Sequence, residues 1–568
     1  MTGIRHFIQR FGLMLLVALT GVSLQNQLIA QTEVSKEVSV VRPYSPTIAD
    51  AAKIRFIPYL DDTVQYQSRF SYDLMPYRFN PETRLQELSP EAYTALQPEQ
   101  LRYSFASFGL GNYWTPMARL AINTLRNEKM SLGFDLSHLS SQGRIRMDDQ
   151  RKVYAGYGDN RVKIYGERFL KGATLSVGGY FLENHHFLYG YTTDSVGGVP
   201  LFPYENRVTT KPETGLQRFI NTGLEFNLGS DQTSSNGWNY RVRGGYNFLI
   251  DGLKAKEHSG TITGGFTKAF RLITVGTDAI GSYVYRTMQP DSLSYAVARL
   301  DPWVKFNWKM ISLKAGPKVA MSRNAQSFHL FPNVRLEINI TDVLVPYLGL
   351  NGYLENHPYR SLAGVNPYLI DNLDVKTTNH FFIAYGGLRG RFHPKVAFNA
   401  EVSWEDAKNL HFFRPDTTID ARNRFTVDYD NGKILRVSGE VSLRQSDDLT
   451  YILKGNYYQY TLDTLPAPWH KPDWDLNFTV RYAWKNRLVV KSELFLIGPY
   501  SVPETDPMKG LVRRSSTLVD INLGAEYRIN SWLSAFVRVN NLIADRYAIW
   551  QNYPMQGINF MGGLTLLF

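Results

Sequence analysis

The sequence predicts an all-β protein, a transmembrane antiparallel β-barrel of about 22 strands preceded by a short irregular N-terminal segment. Three observations support this fold class. Apolar and polar residues alternate in segment after segment from about Tyr103 onward. The connections between these segments alternate between short and long. The chain also ends, at Phe568, inside an alternating strand, and such a strand would leave an open apolar edge unless it paired with the first strand of the same chain.

Composition fits a barrel wall. Mean hydropathy is −0.27, yet 14% of the residues are aromatic, with 35 Tyr and 32 Phe. Alternating faces keep the mean hydropathy low, while aromatic residues accumulate at the two membrane interfaces. The chain has no Cys, which excludes disulfides, thiolate metal sites and a lipidated cysteine anchor. The net charge of +11 is compatible with lysines and arginines of lumen and loops, or with a specific role toward anions.

The N-terminus carries the features of a signal peptide. Arg5 and Arg10 supply a basic region, an apolar stretch runs from Phe11 to Leu19, and Ala30 suits cleavage before Gln31. No later run approaches the ~20 apolar residues that a spanning helix needs. We therefore expect export to the outer membrane of a Gram-negative bacterium. The predicted divisions are a signal peptide at 1–30, a periplasmic or lumen-occluding N-terminal segment at 31–102, and the barrel at 103–568.

The clearest strand pattern runs from Leu518 to Ile529. One face is apolar and suits lipid, with Val519, Ile521, Leu523, Ala525, Tyr527 and Ile529. The other face is polar and suits a wet lumen, with Asp520, Asn522, Gly524, Glu526 and Arg528. A soluble β-sandwich would also alternate, but its strands are usually shorter and its outer face is not regularly apolar.

The long connections are expected to lie together at one end of the barrel, because insertion from the periplasm leaves short periplasmic turns and long outer loops. These predicted long connections are 183–215, 355–378, 405–431, 462–473 and 498–515. The run Asp430-Asn431-Gly432-Lys433 has the composition of a tight hairpin turn. The alternation of the connections places it at the outer end.

The C-terminal residues carry a family resemblance. The run from Val539 to Tyr547 resembles the penultimate-strand and loop signature of TonB-dependent outer-membrane receptors, and the closing strand that ends in Phe568 is similar to theirs. The signature residues are Asn540, Asn541, Asp545, Tyr547, Phe560 and Phe568. The resemblance covers about the last thirty residues. It implies a 22-stranded barrel that binds a scarce nutrient outside and imports it with energy relayed by TonB.

The chain departs from that family before the barrel. The family places a globular plug there, whereas 31–102 offers only roughly 70 residues, few for such a domain. We therefore predict a plugless form. A barrel this wide is not filled by its own wall side chains, so the N-terminal segment, inward-folded loops or a partner must block it. Within that segment a short Val-rich run is similar to a TonB box, which pairs with an edge of TonB. Its residues are Glu37, Val38, Ser39, Val40 and Val41.

Polar residues on the inner strand faces are the candidate functional surface. They are Arg241, Arg243, Arg389, Arg391, Glu401, Arg481, Asp520, Asn522, Glu526, Arg528 and Arg538. One interpretation is a mixed-charge route or docking surface for a solute. The other is a cross-strand charge ladder that holds strand register and water, or that pairs with the occluding segment.

Enzyme motifs are weak, and we expect no enzyme activity, cofactor or metal. Phosphate-binding glycine loops, zinc-binding HExxH helices and serine elbows are missing from the sequence. His185 and His186 are adjacent on an extended chain, point to opposite faces and do not readily chelate one metal. His138 and Ser140 share a strand face and suggest an outer-membrane lipase, but the sequence shows no orienting partner for them.

Three functions remain open at this stage. The first is a plugless relative of TonB-dependent receptors that binds or transports a solute across the outer membrane. The second is a scaffold or accessory barrel of a protein secretion or outer-membrane assembly system. A membrane-embedded hydrolase is the third. The expected partners are outer-membrane lipid and lipopolysaccharide, the barrel assembly machinery, and TonB or secretion-system proteins, with no nucleic acid.

Overall fold

Most of the predicted barrel is described by a computed structural model. It describes residues 104–124, 129–196, 199–202, 215–230, 237–287, 292–323, 327–340, 343–485, 487–504 and 510–568. The predicted signal peptide at 1–30, the N-terminal segment at 31–102 and the TonB-box-like run Glu37 to Val41 lie outside the described residues. Among the described residues, no helix has the length and apolar character that crossing a membrane requires.

The prediction of a closed antiparallel barrel of 22 strands is confirmed. The strands are β1 Ser104–Gly111, β2 Thr115–Asn123, β3 Met130–Ser141, β4 Tyr157–Leu170, β5 Ala173–Phe187, β6 Leu216–Ser230, β7 Trp238–Asp251, β8 Lys256–Ala269, β9 Ile273–Thr287, β10 Ser292–Trp308, β11 Ile311–Ser322, β12 Ser327–Ile338, β13 Leu344–Glu355, β14 Thr378–His393, β15 Val396–Pro415, β16 Phe425–Ser446, β17 Leu449–Leu462, β18 Trp474–Trp484, β19 Leu488–Ile497, β20 Leu518–Arg528, β21 Leu533–Asn540 and β22 Asn559–Leu567.

Each strand pairs with the next along the chain, and the last closes on the first. In that seam Phe105 lies opposite Leu567 and Gly111 lies opposite Met561. The chain end is tied down as well, because Phe568 N donates to Ser104 O over 2.9 Å. Because the last strand pairs with the first, neither strand is left with an open apolar edge.

The outer face of the wall is apolar, as the alternation predicts. Leu224 is 66% exposed, Ile262 56% and Leu348 60%, although each sits in mid-strand. Residues that alternate with them point into the barrel and are mainly polar. Exposed aliphatic side chains in such regular bands are typical of a lipid-facing surface.

Long connections gather at one end of the barrel, which we call the long-loop end, and short turns at the other, the short-turn end. At the short-turn end, Gly172 closes the turn between β4 and β5 with φ +82°, a conformation that favours glycine. The long-loop end carries helix α1, Tyr359–Val365. The described residues at this end also form four small hairpins: Arg144–Arg146 with Lys152–Tyr154, Ser195–Val196 with Val199–Pro200, Ser501–Pro503 with Val512–Arg514, and Ala548–Trp550 with Tyr553–Pro554.

One predicted connection is wrong. The sequence suggested a loop at 405–431 with a tight turn at 430–433, but β15 and β16 extend so far that only 416–424 connects them. Asp430 lies inside β16, at a register shift opposite Leu410. Its carboxylate accepts hydrogen bonds from the backbone N–H groups of Asn431, Thr464 and Leu465. The residues that resemble a tight turn therefore form a β-bulge, and Asp430 holds the connection after β17 in place.

The ladder between β12 and β13 is short. Pairs form only from Val334 opposite Leu350 to Glu337 opposite Tyr347, and the described residues show no further pair toward the long-loop end. Pro332, which has no N–H to donate, lies at the break. Beyond it the ring of Phe331 packs so closely on β13 that a Cβ at Gly352 would lie 2.7 Å from its Cδ1. Side chains rather than backbone hydrogen bonds therefore close this part of the wall.

Candidate functional site

The connection 356–377 between β13 and β14, which we call the strap, folds inward. It contacts lumen-facing residues at the long-loop ends of β7 and β8. The Tyr359 hydroxyl donates to Asp251 Oδ2 over 2.9 Å. The backbone N–H groups of Tyr359 and Arg360 donate to the two carboxylate oxygens of Glu257, over 2.7 and 3.1 Å. Both acids are buried. Buried carboxylates are stable only when they are hydrogen-bonded, so these bonds hold the strap in one place.

Arg286 on β9 provides the cationic part of the same anchor. Its side chain is 1% exposed and donates to Leu373 O over 3.3 Å and to Asp371 O. The guanidinium carbon also lies 4.0 Å from the centre of the Tyr359 ring. The anchor therefore combines two acids and one arginine, at the long-loop ends of β7, β8 and β9, with an aromatic ring of the strap.

Other long connections pack on the strap. The ring of Tyr553, between β21 and β22, stacks on Tyr368 of the strap with centroids 3.6 Å apart. The Tyr553 hydroxyl donates to Asn423 O over 2.5 Å. From the β5–β6 connection, Tyr189 donates to Pro554 O over 2.8 Å. Three connections thus share one aromatic core, in which Tyr553 is 1% exposed, and a fourth is hydrogen-bonded to it through Asn423 O.

These contacts cross the mouth of the barrel. Thr192 N donates to Ala421 O over 2.9 Å, which joins the connections after β5 and after β15. Those strands stand ten apart in a 22-stranded barrel, nearly half-way round. Arg513 also pairs with Asp194 over 3.3 Å, from the connection after β19. We call the described parts of 188–215, 356–377, 416–424, 463–473, 498–517 and 541–558 the loop cap. Inward-folded loops, one of three candidates for blocking the barrel, therefore bridge its long-loop end.

A buried titratable cluster lies beneath the cap. His380 sits between Glu355, 3.0 Å from its Nε2, and Glu405, which bonds its Nδ1. His357 in the strap contacts Thr378 Oγ1 over 2.8 Å. Burial lowers the pKa of the His357 imidazole to about 4 and that of the Lys471 ammonium to about 8. The described residues contain no group of three or more acids and histidines that could hold a metal ion.

Part of the predicted lumen surface forms a connected network. Arg389 Nη2 bonds Glu337 Oε2 over 2.8 Å, and Arg335 Nε bonds Glu337 Oε1 over 2.6 Å. On the next strands Tyr347 donates to Glu401 Oε2 over 3.0 Å. Arg389 on β14 thus reaches Glu337 on β12 across β13, and Tyr347 on β13 reaches Glu401 on β15 across β14. The ladder and the solute route both stay predictions.

The remaining arginine candidates are spread around the wall. Arg243 donates to Asn227 over 3.3 Å, while Arg241 lies opposite Gly229. Arg481 lies opposite Lys491, and Arg391 opposite Ala397. They do not converge on one point. Glu526 lies opposite Val489, Arg528 opposite Ser534, and Arg538 above the Phe536 ring at 4.6 Å.

The C-terminal signature has a structural role that joins it to two of the lumen candidates. Tyr547 donates to Asp520 Oδ2 over 2.9 Å, and Asn541 N donates to Asn522 Oδ1 over 3.0 Å. Asn541 Nδ2 also donates to Asp545 O over 2.8 Å. These bonds hold the last connection against β20. The other signature residues lie on β21 and β22 and at the chain end: Asn540 opposite Asn559, and the exposed rings of Phe560 and Phe568.

Comparison with solved structures places the fold among known receptors. The chain matches the ferric enterobactin receptor of Pseudomonas aeruginosa, a mutant in complex with enterobactin, with TM-score 0.59 and 12% identity over 83% of this chain and 82% of that one. The ferripyoverdine receptor of the same organism matches with TM-score 0.60 and 13% identity, over 83% and 72%. The ferric-catecholate import receptor Fiu of E. coli K12 matches with TM-score 0.60 and 10% identity, over 83% and 82%.

No protein-family model matches this chain, and neither does any curated protein sequence. The likeness at 10–13% identity is one of fold, and the neighbours described above are receptors rather than enzymes. The chain therefore has the barrel fold of these solved receptors.

Proposed function

We propose that this chain is an outer-membrane barrel, similar to TonB-dependent receptors but without their plug, that binds or transports a solute. The observation that carries the proposal is a closed barrel with an apolar exterior and a charged, polar interior. Such a wall suits a bilayer outside and water inside. The receptor-like fold supports the same location and the same class of function.

The loop cap is the proposed gate. Its connections meet across the long-loop end, which faces the outside if the chain inserts like other barrels of this kind. Within the cap, the strap is held by the charged anchors Asp251, Glu257 and Arg286. A solute or partner that competes for these anchors would free the strap and open the lumen.

Conductance in a planar bilayer tests this function. The full chain should conduct weakly, and Arg286→Met, which removes the cationic anchor, should conduct more. Lys376→Met is the matched control, because Lys376 lies in the same strap but is 47% exposed. The conductance of a chain that lacks 31–102, compared with that of the full chain, gives the part of the block that is due to the N-terminal segment. Equal, negligible conductance in all four would contradict a transport route.

A scaffold in secretion or outer-membrane assembly is the second candidate. The bridged mouth favours it, because loops that are hydrogen-bonded to one another offer a partner a broad surface. Negligible conductance together with a stoichiometric co-purifying protein would select this function. Pull-down with the TonB C-terminal domain is the cheaper test of energy coupling. Lack of binding would remove the TonB-box suggestion at Glu37 to Val41.

A further inference from the structure

A cluster of polar side chains lies on the outer, apolar face of the wall near the long-loop end. His138 and Ser140 share the face of the exposed strand residue Leu132, whereas Leu139 between them is 2% exposed and faces inward. Asn160 on β4 likewise shares the face of Ile164, which is 61% exposed. We call this set the outer-wall cluster. Its members are His138, Ser140, Asn160, Glu183, His185 and Arg218.

The cluster is a continuous hydrogen-bond chain. Ser140 Oγ lies 3.1 Å from His138 Nε2, and His138 Nδ1 lies 2.6 Å from Asn160 Oδ1. Asn160 Nδ2 donates to Glu183 Oε2 over 2.5 Å, and Arg218 Nε donates to Glu183 Oε1 over 2.7 Å. The Arg218–Glu183 ion pair thus ends the chain and holds the carboxylate in place.

This chain dictates the tautomer of the histidine. A carboxylate only accepts, so the Glu183 contact orients the Asn160 amide with its nitrogen toward the acid and its oxygen toward His138. The amide oxygen in turn requires a proton on His138 Nδ1. Nε2 is then free to accept the Ser140 hydroxyl proton, which is the arrangement of nucleophile, base and orienting group in Ser-His-Asp and related triads.

Strand register places a second imidazole close to the serine. Ser140 lies opposite Gly158, and Gly158 lies opposite His185. The His185 ring extends over the glycine, since a Cβ at Gly158 would lie 2.7 Å from His185 Nε2. An imidazole ring therefore covers the residue paired with Ser140, on the same face of the wall as the serine. His185 is itself fixed by Glu183, 3.1 Å from its Nδ1.

We propose that the outer-wall cluster hydrolyses acyl esters of lipids in the surrounding membrane. The substrate class follows from position, because the cluster faces outward among exposed apolar residues and lies near the ends of β3 and β5, where ester groups of a bilayer would lie. The proposal rests on the membrane location proposed above and not on transport. It also goes beyond the expectation that the chain has no enzyme activity.

The reaction uses only lipid ester and water. Ser140 Oγ attacks the carbonyl carbon while its proton passes to His138 Nε2, which gives a tetrahedral oxyanion beside the His185 ring. The acyl–oxygen bond then breaks, and His138 protonates the departing alcohol oxygen. Water attacks the acyl-serine with His138 again as base, releasing the fatty acid and restoring Ser140. Asn160 is a positioning residue, because it acts through His138.

The test uses the full chain in phosphatidylcholine vesicles that contain a phosphatidylcholine with self-quenched fluorescent acyl chains. A long-chain alkyl fluorophosphonate, mapped by mass spectrometry, should label Ser140. Ser140→Ala should abolish labelling and lower hydrolysis by roughly a hundredfold or more, the usual share of such a base and nucleophile. Ser131→Ala, an inward-facing serine of the same strand, is the control and should match the parent protein.

A second pair of variants separates catalysis from folding. Asn160→Ala should lose activity, while Asn160→Asp should keep it with a pH–rate profile shifted to higher pH, because a carboxylate favours protonated His138. A merely structural asparagine would give no such shift. Vesicle flotation reports membrane insertion independently of both. Inserted protein without Ser140 labelling, or with hydrolysis unchanged in Ser140→Ala, would overturn the proposal and leave the membrane location intact.

Discussion

Arg286→Met tests whether the strap is held by its buried charges. The change removes two charge-assisted hydrogen bonds, to Leu373 O and Asp371 O, and the contact with the Tyr359 ring. Hydrogen bonds from charged groups contribute about 1.5–3 kcal/mol each, and a desolvated cation–π contact about 2 kcal/mol. Together these losses come to about 5–8 kcal/mol, but methionine restores part of the packing and removes the desolvation cost of a buried guanidinium, which offsets part of the loss. We therefore expect docking of the strap to weaken by about 3–5 kcal/mol.

Hydrogen exchange measures this loss directly. The amides of Leu362 and Asn366 are bonded at the ends of helix α1, to Pro358 O and Leu362 O, and both residues are buried, so we expect them to exchange when the strap opens. Each 1.4 kcal/mol changes an equilibrium about tenfold, so these amides should exchange roughly a hundredfold faster or more in Arg286→Met. Peptides from the short-turn end of the wall should be unchanged.

The control again lies in the strap. Lys376 is 47% exposed, 3.8 Å from Asp374, and its loss should cost at most about 1 kcal/mol. If strap amides in Arg286→Met stay as protected as in Lys376→Met, the charged anchors do not hold the strap. The proposed gate would then need another cause.

Two further predictions concern the cap and the wall. The folded pKa of His357 is about 4, below its ordinary 6.5, so its neutral form stabilises the cap above pH 6.5 and that contribution is lost as the pH falls toward 4, by up to about 3 kcal/mol. Exchange of strap amides, corrected for intrinsic rates, should therefore accelerate on acidification, and His357→Gln should flatten the dependence; a pH-independent parent protein would refute this. At the short β12–β13 ladder, Phe331→Ala should expose neighbouring β12 amides to exchange, since the ring replaces missing backbone bonds there. Phe328→Ala, on the outward face of the same strand, should not, and equal effects would show that the ring does not close the wall.

The barrel could be predicted because its signal is periodic and local. The alternation from Leu518 to Ile529 indicates that one face of the strand contacts lipid and the other water. It is visible in the local sequence, whichever strands are its neighbours. The count of strands followed from the connections. The error at 430–433 has a local cause as well, since Asp, Asn and Gly suit a tight turn and a bulge equally.

The sites depended on contacts that the sequence does not display. Asn160 became the orienting partner of His138 only through the register of β3 and β4, twenty-two positions apart along the chain. The strap anchors were also missed, because in the sequence Arg286 and Glu257 do not differ from other polar residues of the wall. Their role depends on contacts with the strap, which is far from them along the chain. Their one available signal was a charge near the end of an otherwise alternating strand. The grouping of lumen arginines into one surface remains a prediction.

A transmembrane barrel requires that alternate residues of each strand face lipid and water, and one matched pair of variants tests this most directly. Ile262 and Thr261 are neighbours in the middle of β8, the first 56% exposed on the outer face and the second directed into the lumen. Folding into lipid vesicles should be weakened by about 2–4 kcal/mol in Ile262→Arg, since arginine at the bilayer midplane is costly, and little changed in Thr261→Arg. Equal effects of the two substitutions would contradict a barrel with lipid outside and water within.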